Sequence, residues 1–361
     1  MSFSDVRDQD VPIRLLRSML SGTRIPNGLM FWGPAGVGKQ LTAMRMAQAV
    51  NCKERADDAC GQCLSCRKTA NGNHPDVKVV APVRKARVID VEAIESINEF
   101  ASLRAFEGAW RVFILVDADR MNVAAQNHFL KTLEEPAGNS LFILVTAFPR
   151  VLLPTIRSRC QQIRFGALRP ETVADLLIRE RQIAPELARS IAELAQGQVS
   201  RALDLVDSEK RDVVLDITKR LAEGENPLAL SEEFYRHLAE QRERIAASVK
   251  ADVDDSFMSE ASPEDKERLK AEQLALVDAL CRRDIMEYLY LLETWYRDVA
   301  ISHIDGGKAF VFNRDQAERL DAHPEAALDK KVAAVEKARV YLERFLNEER
   351  VLRDLFFALA P

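Results

Sequence analysis

Two groups of residues in this chain have the types and spacing to do chemistry. The first is Gly33-Pro34-Ala35-Gly36-Val37-Gly38-Lys39-Gln40, which reads G-x-x-x-x-G-K followed by Gln. Glycines let a loop wrap so that its N–H groups face phosphate oxygens. A lysine adds a cation for the outer phosphates, and a following helix aims its N-terminal dipole at the anion. The pattern is that of a phosphate-binding loop for a nucleotide such as ATP or ADP. Position 40 departs from it. A Ser or Thr hydroxyl there would ligate Mg²⁺, whereas Gln40 has none and Thr42 lies two residues further along the helix. Occupancy by ATP or ADP is left open by the residues, and Mg²⁺ ligation is placed in doubt.

Hydrolysis would also need an acid for the metal and a group that orients water. The apolar run 111–116 ends in Asp117-Ala118-Asp119, which puts Asp117 at the end of a strand, where a metal-side acid belongs. Ala118 cannot polarise water, and alternation along an extended segment aims Asp119 elsewhere. The plainer alternative is that both aspartates cap the next helix.

The second group is Cys52, Cys60, Cys63 and Cys66, a C-x7-C-x2-C-x2-C pattern. Four thiolates at tight C-x-x-C steps suit a closed, tetrahedral, structural Zn²⁺ site. A four-cysteine iron–sulfur cluster is the chemical alternative, and His74 is a weak alternative ligand. Cys281 reads as a core thiol, and Trp110 and His128 read as ordinary packing.

The elements that must position these groups alternate. Residues 28–32, 76–80, 111–116, 140–145 and 161–165 read as strands, and residues 40–50, 90–103 and 124–134 as helices between them. That alternation predicts a mostly parallel sheet. After about residue 167 the strands stop. Residues 170–180, 184–195 and 200–206 read as short helices, and longer helices follow from Ser208. Tyr288, Leu291, Leu292, Trp295 and Val299 share a face of 284–302, and a last helix is predicted near 330–358. The polar, acidic stretch 251–270 reads as an exposed loop. The fold expected is an α/β phosphate-loop domain with an inserted zinc module over 1–166, a small helical lid over 167–207, and an all-α domain over 208–361.

Composition narrows the function. The 361 residues are 47% hydrophobic and 30% charged, which is ordinary for globular domains. No run of about 18 apolar residues is present, so a membrane span is not expected. The opening MSFSDVRDQDVPIRLL lacks a signal core, so a cytoplasmic protein is expected. Residues 1–170 hold 23 Lys and Arg against 16 Asp and Glu, while the rest holds 28 against 40. Different partners for the two halves would explain this, as would plain solvated surfaces.

Beyond the phosphate loop and the cysteines, the chain carries His74-Pro75-Asp76, LKTLEEP at 130–136, and Ser158-Arg159-Cys160, in that order. Together these motifs resemble the clamp-loader branch of the AAA+ ATPases, as found in bacterial DNA polymerase III, over roughly residues 10–205. Residues 282–298 are similar to the opening of that family's C-terminal collar. The resemblance implies that Lys39 is the Walker A lysine, Asp117 the Walker B aspartate and Thr146 the first sensor. It likewise implies that Arg201 is the second sensor, in the lid, and Arg159 an arginine finger acting in trans. Residue by residue, the phosphate-loop positions carried over are Gly33, Pro34, Ala35, Gly36, Val37, Gly38, Lys39 and Gln40. Motor subunits of this branch have Ser or Thr after the lysine and Asp-Glu on the Walker B strand, whereas here the residues are Gln40 and Ala118.

The implied role is a subunit of a hetero-pentameric DNA polymerase III clamp loader that helps load the sliding clamp onto primer–template DNA. It would not hydrolyse ATP or polymerise DNA itself, and would supply its finger to a neighbour. Two other readings stand beside it. One is an active motor with unusual metal ligation. The other is a zinc module that binds nucleic acid through Arg84, Lys85 and Arg87.

Overall fold

The computed structural model describes residues 2–22, 25–82, 88–251, 263–323 and 327–361. Arg84, Lys85 and Arg87 lie outside the described residues, as does 252–262 of the acidic stretch. The chain divides into two compact units. The first comprises residues 1–172 with 197–200, and the second 173–196 with 201–361.

The first unit is built on five strands: β1 (Gly28–Trp32), β2 (Val77–Val80), β3 (Arg111–Leu115), β4 (Ser140–Thr146) and β5 (Gln161–Arg164). Their order is β2-β3-β4-β1-β5, and every pairing is parallel. The parallel sheet expected from the alternation is present. β3 and β4 are buried along their whole length, as strands covered on both faces must be. Helices α1 (Asp10–Ser21), α2 (Lys39–Val50), α3 (Leu64–Ala70), α4 (Val91–Ser102), α5 (Val123–Glu134) and α6 (Pro154–Arg159) surround the sheet. Ile94 and Ile97 of α4, Phe129 and Leu133 of α5, and Ile156 of α6 share one core with Met30, Phe113 and Phe142 of the sheet. Phe113 and Phe142 stack with ring centroids 5.0 Å apart, and Phe129 meets Phe142 edge-on at 5.5 Å. Each such ring contributes about 1.5–3 kcal/mol by leaving water. After β1 the chain crosses to the far strand β2 and returns through β3 and β4. The phosphate loop thus emerges beside β4, at the carboxyl ends of the strands, where open α/β sheets bind ligands.

The chain passes between units within α7 (Pro170–Arg181), again between Gln196 and Gly197, and within α9 (Val199–Asp207). Among its described residues the second unit holds helices joined by turns and no strand. It holds α8 (Pro185–Leu194), α10 (Lys210–Ala222), α11 (Pro227–Ala251) and α12 (Pro263–Ser302), then α13 (Ala317–Ala322), α14 (Leu328–Glu343) and α15 (Glu348–Leu359). α12 packs against α10, α11 and α14. Its C-terminal half buries the expected Tyr288, Leu291, Leu292, Trp295 and Val299, and also Leu289 and Tyr296.

Two expectations are corrected here. Residues 263–270, read as loop, form the start of α12. The single last helix is two helices, because Phe345 adopts φ 61° and Asn347 starts α15 by accepting the N–H of Arg350. A side chain at that φ ends a helix, and the asparagine cap begins another. No described helix is long and apolar enough to cross a membrane.

Candidate functional site

The phosphate loop follows β1, and α2 begins at Lys39. Glycine is required at two of its positions for different reasons. Gly38 caps α2 at φ 90°, a conformation costly for any residue with a Cβ. Gly36 has φ 71°, and a Cβ there would strike Ser200, whose neighbour Val199 donates its N–H to the Gly36 carbonyl at 3.2 Å. The Lys39 side chain is 6% exposed. Its ammonium donates to the Gly33 carbonyl at 2.7 Å and to that of Pro34. Burial lowers its pKa below the ordinary lysine value, and the charges of Asp117 and Asp119 pull it back up.

The neighbouring strands deliver the other candidates to the same end of the sheet. Asp117 follows β3, is exposed and has φ 49°. It heads the short 3₁₀ turn at 118–120 without a side-chain capping bond, so the helix-cap alternative is not borne out for it. Asp119 accepts a hydrogen bond from the Thr146 hydroxyl at the end of β4, and Thr146 in turn accepts the N–H of Phe148 at 3.0 Å. Strand alternation had aimed Asp119 elsewhere. The chain is no longer extended there, and the left-handed turn at Asp117 redirects it. Lys39, Asp117, Asp119 and Thr146 are therefore brought together. Gln40 is exposed in the first turn of α2, and Thr42 spends its hydroxyl on the Gly38 carbonyl at 2.8 Å. Neither offers a hydroxyl where a Mg²⁺ ligand would stand. Gln9 was not evident from sequence. It is buried and ties the loop to the end of β5 by donating to Val37 (3.4 Å) and Gly166 (2.9 Å).

Arg159 stands at the other end of the sheet. It closes α6, just before β5, and Leu29 of β1 pairs with Gln161. Arg159 is thus level with the start of β1, whereas the phosphate loop begins at its end. At about 3.3 Å per residue the five residues from Gly28 to Gly33 make a separation of roughly 16 Å, beyond the reach of an arginine side chain. The half-exposed guanidinium pairs with Glu134 at 2.5 Å and donates to the Thr155 carbonyl at 3.0 Å. Two sequence motifs, LKTLEEP and Ser-Arg-Cys, meet in that ion pair. Arg201 belongs to the second unit, where it bonds Glu287 at 2.8–2.9 Å and lies over the Tyr290 ring at 3.9 Å.

The four cysteines converge. Their sulfurs all lie within 4.8 Å of one another, and Cys60 and Cys66 are 3.9 Å apart. A Zn–S tetrahedron at about 2.3 Å per bond needs sulfurs about 3.8 Å apart, so the group fits zinc. The N–H groups of Gln62 and Cys63 point at the Cys60 sulfur (3.4 and 3.2 Å), and that of Cys60 at Cys52 (3.4 Å). Donation from Cys63 and Gln62 brings the Cys60 thiol down to about 6, favouring the thiolate a metal requires.

His74 makes no claim on the metal. Its Nδ1 accepts the Asp76 N–H (3.1 Å), so its Nε2–H donates to the Ser65 hydroxyl (3.0 Å). Burial lowers its pKa, against the opposing charge of Asp76. The buried Asp76 carboxylate accepts the N–H groups of Phe106, Glu107 and Gly108 at 2.7–2.8 Å. Burial alone would raise its pKa. The three donors outweigh that and hold it below the usual carboxylate range. A depressed folded-state pKa adds stability above the unfolded value of about 3.9, and that stability is lost as pH falls through the folded pKa. Asp76→Asn is expected to cost about 2–4 kcal/mol at neutral pH. It should also flatten the acid limb of stability, read by urea unfolding from neutral pH down through the carboxylate range.

Elsewhere, Cys281 is only partly buried beside Arg242, so it is not a core thiol, and burial raises its pKa. Trp110 is held through its backbone by Asn51 (2.9 and 3.0 Å), and the half-exposed His128 lies 3.9 Å from Glu95.

The first unit is thus a parallel α/β domain with a phosphate-loop motif in which Gln40 follows the lysine, and with a four-cysteine module. Known proteins share it. Residues 8–169 match the family model described as "DNA polymerase III, delta subunit". The delta-prime subunit of DNA polymerase III from Bacillus subtilis is 33% identical over 197 residues, 54% of this chain and 57% of its own. That of Pseudomonas aeruginosa is 36% identical over 166 residues, 46% of this chain and 50% of its own. The tau subunit of Escherichia coli is 31% identical over 212 residues, 57% of this chain and 32% of its own. The chain spans about half the length of the delta-prime relatives it matches. A solved gamma subunit-related protein from Thermotoga maritima aligns over 98% of each chain at 16% identity and a TM-score of 0.41. Over its first half this chain is similar to the delta-prime subunit of bacterial DNA polymerase III.

Proposed function

We propose that this chain is a non-hydrolysing subunit of a DNA polymerase III clamp loader, presenting Arg159 to nucleotide held by a neighbour. The observation that carries the reading is the opposition of two sites on one sheet. The chain's own phosphate loop is at one end, with Gln40 and Ala118 at the positions hydrolysis needs, and Arg159 is at the other. A guanidinium so placed cannot serve its own loop and is open to a second chain. In trans it would stabilise charge developing on a transferred phosphoryl group. Lys39, Asp117, Thr146 and Arg201 would then be the remnant of a nucleotide site that holds ATP or ADP without turning it over. Zinc on the four cysteines would be structural.

The rest of the reading follows from the sequence resemblance. Residues 167–207 would be the lid and 208–361 the collar that joins this chain to the other subunits of a pentamer. The basic first half would face the sliding clamp or primer–template DNA. As part of the cytoplasmic polymerase holoenzyme, the chain would neither polymerise DNA nor hydrolyse ATP alone.

A second reading, an active motor, draws support from the grouping of Lys39 with Asp117, Asp119 and Thr146. Lys39→Ala separates the two. With clamp and primed DNA, the reconstituted loader should keep its ATP turnover within about twofold in this variant, since no transition-state contact is lost. A large fall in Lys39→Ala, with Arg159→Ala unaffected, would mean a motor instead.

A further inference from the structure

We propose that zinc on the four cysteines sets the conformation of the loop 104–110, through Asn51, Lys68 and Asp76. The proposal rests on reading Cys52, Cys60, Cys63 and Cys66 as a zinc site. Arg111 holds the Arg104 carbonyl and Asn139 the Ala109 carbonyl (3.2 Å) from the sheet side, and three further grips come from the cysteine module or its flanks. Asn51, next to Cys52, bonds both the N–H and the carbonyl of Trp110 (2.9 and 3.0 Å). Gly108 packs so closely on Asn51 that a Cβ would collide with its side chain. Lys68, two residues past Cys66 on α3, pairs with both carboxylate oxygens of Glu107 at 2.5 and 2.7 Å. Asp76 takes the three N–H groups of 106–108, and His74, which accepts the Asp76 N–H, bonds Ser65 between Cys63 and Cys66.

The metal controls these grips because α3 has only seven residues. A helix that short does not persist in water by itself. It is held by Gln48 of α2, which donates to the Cys66 carbonyl at 2.8 Å, and by Cys63 at its cap and Cys66 in its first turn, both of which point into the sulfur cluster. With zinc gone, α3 loses its sulfur anchor. Lys68 and Ser65 then leave their partners together, and the loop is held by Asn51, Asp76, Arg111 and Asn139 without its contacts to α3. The loop displays Phe106, 80% exposed, and runs directly into β3. The metal state therefore sets where this exposed aromatic side chain stands.

The test is amide hydrogen exchange of the full chain, with zinc and after chelation, with metal content measured in parallel. Exchange in 104–110 should speed up about tenfold or more on chelation, recover when zinc alone is restored, and stay unchanged in β4. Unchanged exchange in 104–110, with all four thiols newly reactive, would overturn the proposal. A chain that never holds zinc would instead sink the metal reading on which it rests. If chelation unfolds β4 as well, Lys68→Met decides with zinc still bound. Severalfold faster exchange at 106–108 supports the coupling, and no change overturns it.

Discussion

Alanine at Arg159 should leave the chain folded and nearly stop ATP turnover at the neighbouring site it completes. The expected loss at that site is about 10³–10⁵, the range measured for arginine fingers supplied in trans. Stability should barely move. Among the described residues the ion pair lost is the half-exposed one to Glu134, and such pairs contribute about 0–1 kcal/mol. For a unit of this size that is at most about 4 °C in Tm. Arg159→Lys should not restore turnover, because an ammonium lacks the planar fork that spans two phosphate oxygens. The measurement is DNA-stimulated turnover of the reconstituted loader, alongside thermal melting of the isolated variant. Wild-type turnover with Arg159→Ala would sink the finger reading and leave this chain an architectural part.

How much of this could be read from residues alone varies by element. The strand–glycine–helix passage at 28–50 was legible because each local preference agrees: an apolar run, glycines where φ is positive, then a helical period. The strands were legible because parallel strands buried on both faces are continuously apolar, as in the Ser140–Thr146 segment. Their order was not, because β1 and β4 are far apart in sequence and no local pattern encodes which strands pair. α3 and α6 escaped because seven and six residues are too few for a helical period to emerge. α1 could have been found from the apolar positions Pro12, Ile13 and Leu16, all of them buried. Asn347 followed by two glutamates was an available signal for the start of the last helix.

The partners of the site residues were the least legible. Arg159 with Glu134, Thr146 with Asp119, and His74 with Ser65 are pairs made by the fold, not by spacing. Glu134 was visible as part of a motif, yet nothing in the motif said it would meet Arg159. Asp119 was set aside on an argument valid for a strand, and the chain turns there instead. The cysteine group was the exception. Its spacing and its geometry agree because C-x-x-C steps are themselves local structure.

That module carries the other large effect. Stripping zinc from the full chain should lower its thermal midpoint by about 10 °C. A ligand held at 1,000 times its Kd stabilises by about 4 kcal/mol, and a unit of this size moves about 2–4 °C per kcal/mol. Structural zinc affinity easily reaches that regime, since apparent binding energies at neutral pH are about 10–16 kcal/mol. The fall should shrink in acid, because protons compete with zinc for each sulfur and the bound metal then stabilises less. Cys66→Ser should reproduce the loss, since Cys66 is the buried member of the four and α3 turns on it. Metal analysis should find one zinc per chain and no visible absorption from iron. With zinc bound, a thiol reagent should find four cysteines protected, and chelation should release them together, because a tetrahedral site missing one ligand no longer holds the other three. If the four react one by one at rates indifferent to chelator, the sulfurs converge without a metal. The stability of the module would then have to come from the Asp58 carboxylate, which accepts the N–H groups of Phe3 and Ala59 at 3.0 and 2.7 Å and pairs with Arg17 at 2.9 Å.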